Sequence, residues 1–312
     1  MRLKTSLCPY TKGNTLFLHI GEQPYQPAKA TIMRVFEPFT MSCTMAVQLN
    51  CPFLNLEGEF ILKLYDRRFA TQLRQDEKAC PWDPNLEQEY QEFVDGGGAS
   101  NFFKLCSYKL CSDEDWAVKE RNNWTRAQHE AFLQYSCRES YRTEAEVYDR
   151  LYDIQGKDVP QLFARLSMPH SSNLSNEYIG PPGLLLEFIR GFPLADLAGH
   201  APSDDWQYIC EDAIRIVNVI GDRGIRNGDV KPRNILVRKD ADTQKFKVFL
   251  IDFGLCTFRK QNQDDRDWRE WKALEDEEGA VGLVMERKLK GGFRYCRTPE
   301  SEQLQAEFLS ED

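Results

Sequence analysis

Nowhere does this 312-residue chain carry a C-x-x-C pair, or histidines at the spacing of metal ligands. Its four histidines (His19, His129, His170, His200) lie far apart, and its ten cysteines are scattered from Cys8 to Cys296. That pattern argues against a zinc site and a disulfide framework, and for reduced cysteines serving as small buried hydrophobes. Long apolar runs are also missing. No stretch approaches a membrane span, and polar residues and Pro9 interrupt the first ten residues before a signal-peptide core can form. Positive charge is in deficit: 40 Lys and Arg against 49 Asp and Glu give a net charge of -9. A basic patch normally drives binding to nucleic acid or anionic membrane, so neither partner is expected. The expectation is a cytoplasmic, intracellular protein.

What is present suffices for two cooperating lobes around a cleft: 312 residues, 41% of them hydrophobic. Ile32 to Phe36 and Met45 to Leu49 read as two paired strands around a break at Pro38 to Ser42, and Phe60 to Tyr65 as a third. Lys63 sits inside that third run, so it either points outward or has an anionic partner. A charged, tryptophan-bearing segment from about 70 to 140 reads as an insertion with helical pieces. Thr143 to Leu151 has helical spacing, with Glu144, Val147, Tyr148 and Leu151 at similar azimuth; a solvated face is the alternative for Glu144. Gly183 to Ile189 reads as a buried strand ending in a connector. An amphipathic helix follows Ser203, with Ile209, Ala213, Ile216, Val217 and Ile220 on one side. Another is expected over about Trp271 to Leu289, and the residues from Phe293 onward show little pattern.

The densest chemistry lies at Asn227-Gly228-Asp229-Val230-Lys231-Pro232-Arg233-Asn234 and, after a hairpin, at Ile251-Asp252-Phe253-Gly254. An acid, a lysine and an amide on one loop, with a carboxylate on the next, suit the handling of a metal-bound triphosphate. Asp252 and Asn234 offer hard oxygens of the kind Mg2+ prefers. Asp229 is placed to accept or orient a hydroxyl proton, and Lys231 to offset charge on the moving phosphoryl group. The alternative is an Asx-type loop that merely satisfies turn backbone.

The spacing Asp-x-Lys-Pro-x-Asn followed by Asp-Phe-Gly resembles the catalytic and metal-binding loops of eukaryotic protein kinases. In the same order, Lys63 resembles the strand lysine that holds nucleotide phosphates and Glu144 its helix partner. Leu186 to Ile189 resembles the hinge that reads adenine through the backbone of Glu187 and Ile189. Leu62-Lys63-Leu64-Tyr65-Asp66-Arg67-Arg68-Phe69 and the insertion after it look like a divergent group of fungal kinase-like proteins. The resemblance implies an α+β, bilobal protein-kinase-like fold. It would have a small antiparallel-sheet N-lobe with one main helix and a mainly helical, shortened C-lobe, with nucleotide between them. Residues 1–29 would be an N-terminal extension, 30–189 the N-lobe with its insertion, and 190–312 the C-lobe. It also implies an enzyme that uses ATP and Mg2+ to phosphorylate a hydroxyl, as serine/threonine kinases do.

Three departures widen the reading. The loop Glu37 to Ser42 has no glycine with which to cradle phosphates. Asn227-Gly228 replaces His-Arg, which removes the arginine that pairs with a phosphorylated activation loop; Gly228 is similar to the His-Gly-Asp of aminoglycoside and choline phosphotransferases. Only 58 of the 312 residues follow Gly254. A protein substrate is favoured, with a small-molecule hydroxyl as alternative. A pseudokinase scaffold that meets a partner protein through the 70–140 insertion is the other alternative. Within Glu275 to Glu278, Asp276 is read as a capping or bracing acid, with a solvated helical face as the competing reading.

Overall fold

A computed structural model describes residues 8–21, 25–113, 115–169 and 176–308. The first seven residues of the stretch read for a signal peptide, and His170, lie outside them. The chain divides into two compact units: Met1–Arg142 with Leu162–Phe188, and Thr143–Gln161 with Ile189–Asp312.

Strands dominate the first unit: β1 (Thr15–Ile20), β2 (Gln26–Val35), β3 (Cys43–Cys51), β4 (Leu56–Leu64), β5 (Leu162–Ser167) and β6 (Pro182–Glu187). They close into an antiparallel barrel in the order β1-β2-β3-β4-β6-β5, sealed where His19 and Ile20 pair with Ser167 and Leu166. A small sheet with one main helix was expected; the closed barrel and several helices replace it. Closure needs β1, which falls within residues 1–29. Its alternation is regular, with Leu16, Leu18 and Ile20 buried between exposed Thr15 and Phe17. The strands read as first, second and third are therefore β2, β3 and β4. Leu18, Ile32, Met45, Val47, Leu62 and Leu185 fill the interior.

The insertion is a second nucleus of packing in the same unit. It comprises α1 (Thr71–Asp76), α2 (Pro84–Asp95), α3 (Gly98–Ser112), α4 (Trp116–Glu120) and the start of α5 (Arg126–Arg150), with α6 (Asn176–Ile179) beside them. Tyr90, Phe102, Cys106, Trp116 and Phe132 form a core of their own. Trp124 packs against Phe102, Trp116 and Phe132 at centroid separations of 5.4, 5.5 and 5.0 Å. The helical pieces are as expected, but the insertion also carries a core of its own, because its aromatic residues supply the apolar area to pack one.

The Leu62 to Phe69 motif joins barrel and insertion by ion pairs. Asp66 accepts from Tyr10 at 2.5 Å and from Arg68 at 2.7 and 2.9 Å. Arg67, 1% exposed, pairs with Glu130 and with Glu87 and stacks 4.1 Å over Tyr90. Arg74 makes a second pair with Glu130 at 2.6 Å. Two arginines against two glutamates leave the buried network neutral, the condition under which burial of charge is tolerable.

The second unit holds the end of α5, then β7 (Phe192–Pro193), α7 (Leu197–His200), α8 (Trp206–Gly221) and β8 (Ile225–Asn227). After these come β9 (Ile235–Lys239), β10 (Phe246–Leu250), β11 (Cys256–Phe258), α9 (Asp265–Glu275), α10 (Glu277–Leu289) and α11 (Pro299–Phe308). Ile209, Ala213, Ile216, Val217 and Ile220 form the buried stripe of α8, which Ser203 precedes by a single 3-10 turn without capping it. The single helix expected over Trp271 to Leu289 is two. The backbone turns left-handed at Asp276 (φ 44°), which ends α9 and opens α10 by accepting from the Gly279 N–H at 3.1 Å. A Cβ at Gly279 would fall 2.1 Å from an Asp276 carboxylate oxygen, so the cap requires glycine there. The tail after Phe293 forms α11, with Pro299 in its first turn, where a missing N–H costs nothing. Among the described residues, no helix is long and apolar enough to cross a membrane.

Candidate functional site

Two strand pairings in the second unit bring the chemically dense loops together. The β9–β10 hairpin pairs Ile235 with Leu250, and β8–β11 pairs Asn227 with Cys256. The loops that leave these ladders are stitched to each other: Ile251 N–H donates to Asn234 O at 2.9 Å and Gly228 N–H to Leu255 O at 3.3 Å. Asn227 Nδ2 reaches Asp252 O at 3.4 Å. A Cβ at Gly228 would stand 3.3 Å from Leu255 O. That approach leaves little room for a side chain at 228 but does not by itself demand glycine there.

Asp229 is the hub. Its N–H donates to Asn227 Oδ1 at 2.9 Å, and one carboxylate oxygen is ion-paired with Lys231 Nζ. The other accepts from Asn234 Nδ2 at 2.8 Å, and the same nitrogen donates to the Asp229 carbonyl at 2.9 Å. Because both partners are acceptors, the amide orientation of Asn234 is fixed, and Oδ1 is its remaining side-chain ligand atom. Lys231 is extended and precedes a 3-10 turn, Pro232–Asn234, closed by Asn234 N–H to Lys231 O at 2.8 Å. Proline fits the first position of that turn because no N–H is needed there.

Asp252 adopts φ 70°, the left-handed region, which Asp and Asn tolerate better than most residues. Beside it Phe253 is fully buried and meets the Tyr148 ring edge-on at 5.5 Å. Tyr148 lies one turn from Glu144 on α5, and both are on the buried face; Glu144 is 1% exposed, whereas Glu146 and Asp149 face solvent. A solvated face is therefore ruled out for Glu144. Its position puts it in the second unit, with Asp229, Lys231, Asn234 and Asp252.

Lys63 is in the first unit, on β4 opposite Leu184 of β6 and Thr44 of β3. It is 6% exposed, with its ammonium 5.6 Å from the centroid of the Tyr65 ring, so it does not snorkel to solvent. Glu187 ends β6 opposite Phe60, and buried Ile189 begins the second unit's next segment. The glycine-free loop between β2 and β3 is tied to α1 of its own unit: Phe39 O and Thr40 O accept from the N–H groups of Thr71 and Gln72, each at 3.2 Å.

The acid that braces the Asp229 loop is Glu277. Its carboxylate accepts the Asn227 N–H at 2.7 Å and is ion-paired with Lys272. Burial raises its pKa above the ordinary glutamate value, against the pull of Lys272 and the Asn227 N–H. Asp276, the acid singled out in the sequence, caps α10 and pairs with Arg297 at 2.5 Å. Four consecutive acids carry no azimuthal signal, so only the break at Asp276 reveals that Glu277 and Glu278 turn inward. Asn227 is the other residue missed: it is 1% exposed and joins Glu277 to Asp229.

Among the described residues, no cluster of three or more His, Cys, Asp or Glu could hold a metal by itself. Asp252 and Asn234 are residues that could offer a metal two oxygen ligands. That donor set suits Mg2+, which keeps waters and takes most other oxygens from the phosphates it accompanies. No protein-family model matches the chain.

Proposed function

We propose that the chain is a phosphotransferase that uses ATP and Mg2+ to phosphorylate a hydroxyl group, within a protein-kinase-like fold. The observation that carries this is the fixed cluster of Asp229, Lys231 and Asn234, held from below by Asn227 and Glu277. An Asx turn needs neither the lysine pair nor a buried acid two helices later in the chain. Asp229 orients the attacking hydroxyl and takes up its proton, and Lys231 offsets charge on the transferring group. Asn234 and Asp252 would hold the metal, which would neutralise charge on the phosphate oxygens. Lys63 is assigned to the nucleotide phosphates, and the backbone of Glu187 and Ile189 to adenine. Lys231 favours a serine or threonine hydroxyl on a protein.

A second reading, a nucleotide-free scaffold, draws on the β2–β3 loop, whose carbonyls are committed to α1 and which has no glycine. Thermal unfolding of the full chain with and without Mg-ATP separates the two. A ligand-dependent shift is expected, and its absence makes the scaffold reading correct. Transfer from ATP to a protein pool is then measured for the native chain, Asp229→Ala and Asp252→Asn. Both variants are expected to fold and to lose transfer; turnover retained in both shows that these loops are not the site. Labelling of a metabolite panel with no protein labelled reassigns the substrate.

A further inference from the structure

The second unit contains a cavity of about 530 Å³ between α8, α9, α10 and α11, away from Asp229 and Asp252 in its lining. Its size is that of a small-molecule site. Trp268, Ala273 and Leu304 supply an apolar wall, and the rest is charged or neutral polar apart from two glycines. The three cationic side chains that line it are already engaged: Arg259 by Asp265, Arg269 by Glu307 and Lys272 by Glu277. Among the lining carboxylates, Asp276 is paired with Arg297. Asp222, Glu278 and Glu300 make no ion pair among the described residues. Glu278 is the deepest of them, 4% exposed, and is held by neutral donors only: Asn218 Nδ2 at 2.9 Å, Tyr295 O–H at 3.0 Å, Thr298 N–H at 2.8 Å and Thr298 O–H at 2.7 Å. An indole wall, a surplus of negative charge and a buried carboxylate whose direct donors are all neutral, with Arg297 acting on it only at longer range, are the chemistry that receives an organic cation.

We propose that this cavity binds a small organic cation bearing a guanidinium or ammonium group, and that occupancy is transmitted to the Asn227–Asn234 loop. The transmission runs through one residue. Glu277 adjoins Glu278, lines the same cavity, and accepts the Asn227 N–H whose side chain in turn holds Asp229. A cation beside Glu278 competes with Lys272 for Glu277 and so changes the acceptor that fixes Asn227. The proposal does not depend on phosphotransfer, because binding and loop response are read without it.

The test is calorimetric titration of the full chain with agmatine, which carries both cationic groups on a short apolar stem, alongside hydrogen exchange over residues 225–234. Saturable 1:1 binding and altered exchange at Asn227 are expected. Glu278→Gln should abolish binding. Because that variant removes a buried anchor and can fail to fold, Asp222→Asn with Glu300→Gln, both at exposed positions, provides the second arm. Loss of those two charges should weaken agmatine about threefold to tenfold, in proportion to exposed charge pairs. Acetyl-Gly-Arg-Gly-amide, run in parallel, distinguishes an arginine side chain on a peptide from a free metabolite as the source of the cation. No saturable binding of either probe up to about 10 mM, an affinity already weaker than 1 mM, overturns the site. So does agmatine binding unchanged in the double variant. Binding with unaltered exchange at Asn227 overturns the coupling.

Discussion

Replacing Glu277 tests whether the Asp229 loop is held as described. In Glu277→Ala the Asn227 N–H loses its acceptor, and Asn227 is 1% exposed, so water does not take over. An orphaned buried donor costs about 1–3 kcal/mol. Lys272 also loses its partner, but its side chain is 17% exposed and its ammonium rehydrates, which holds this part near about 1 kcal/mol. The sum is roughly 2–4 kcal/mol. Glu277→Gln keeps an acceptor facing Asn227 and removes only the charge, a loss of about 1 kcal/mol. The gap between the two variants, about 1–3 kcal/mol, therefore isolates the Asn227 bond. Urea unfolding with a common m-value measures it, and exchange of the Asn227 amide should rise steeply in the alanine variant alone. If the two variants unfold within about 0.5 kcal/mol of each other, Glu277 does not hold Asn227 and the bracing argument fails.

Asp252 sits at φ 70°, so Asp252→Gly should unfold at a higher temperature than Asp252→Ala by an amount equivalent to about 1 kcal/mol, with transfer lost in both; equal stabilities would mean the left-handed backbone is not strained. Glu130→Ala leaves Arg67 and Arg74 buried with Glu87 as their only carboxylate and should cost about 3–5 kcal/mol in chemical denaturation, whereas replacing the network by Met and Leu together should recover most of it. Burial drives the Asp66 pKa up, but Arg68 and the Tyr10 hydroxyl outweigh it, so the folded value lies below the ordinary 3.8. The stability this carboxylate contributes is present above pH 3.8 and is lost as pH falls through the folded value. Acid titration of Arg68→Met, followed by circular dichroism, should show that loss beginning at higher pH.

Regular periodicity made much of the fold readable. The alternation of Met45, Val47 and Leu49 and the stripe of α8 from Ile209 to Ile220 correspond to burial in β3 and α8. β1 carries an equally regular pattern in Leu16, Leu18 and Ile20, yet barrel closure depends on its pairing with β5 nearly 150 residues away, which local periodicity does not encode. The break at Asp276 was hidden for a different reason: left-handed turns advertise themselves through glycine, and here an aspartate takes that conformation. In the site, Asp229, Lys231 and Asn234 were legible from type and spacing. Glu277 was not, because its partner in that loop is a backbone N–H, and backbone donors leave no mark on a sequence.

Closure of the barrel also restricts how the first unit can be recognised. With β1 joined to β5 at His19–Ser167 and Ile20–Leu166, the edge open to a foreign strand among the described residues is cut to the short stretches beyond that seam, so β-augmentation and edge-to-edge aggregation have a smaller template than on an open sheet. A partner of this unit would be left mainly with side chains to read. The helices of the insertion are where they are offered, with Leu105, Tyr108 and Val118 turned outward on α3 and α4. Specificity there would follow surface residues that can change without disturbing either the barrel or the insertion's own core.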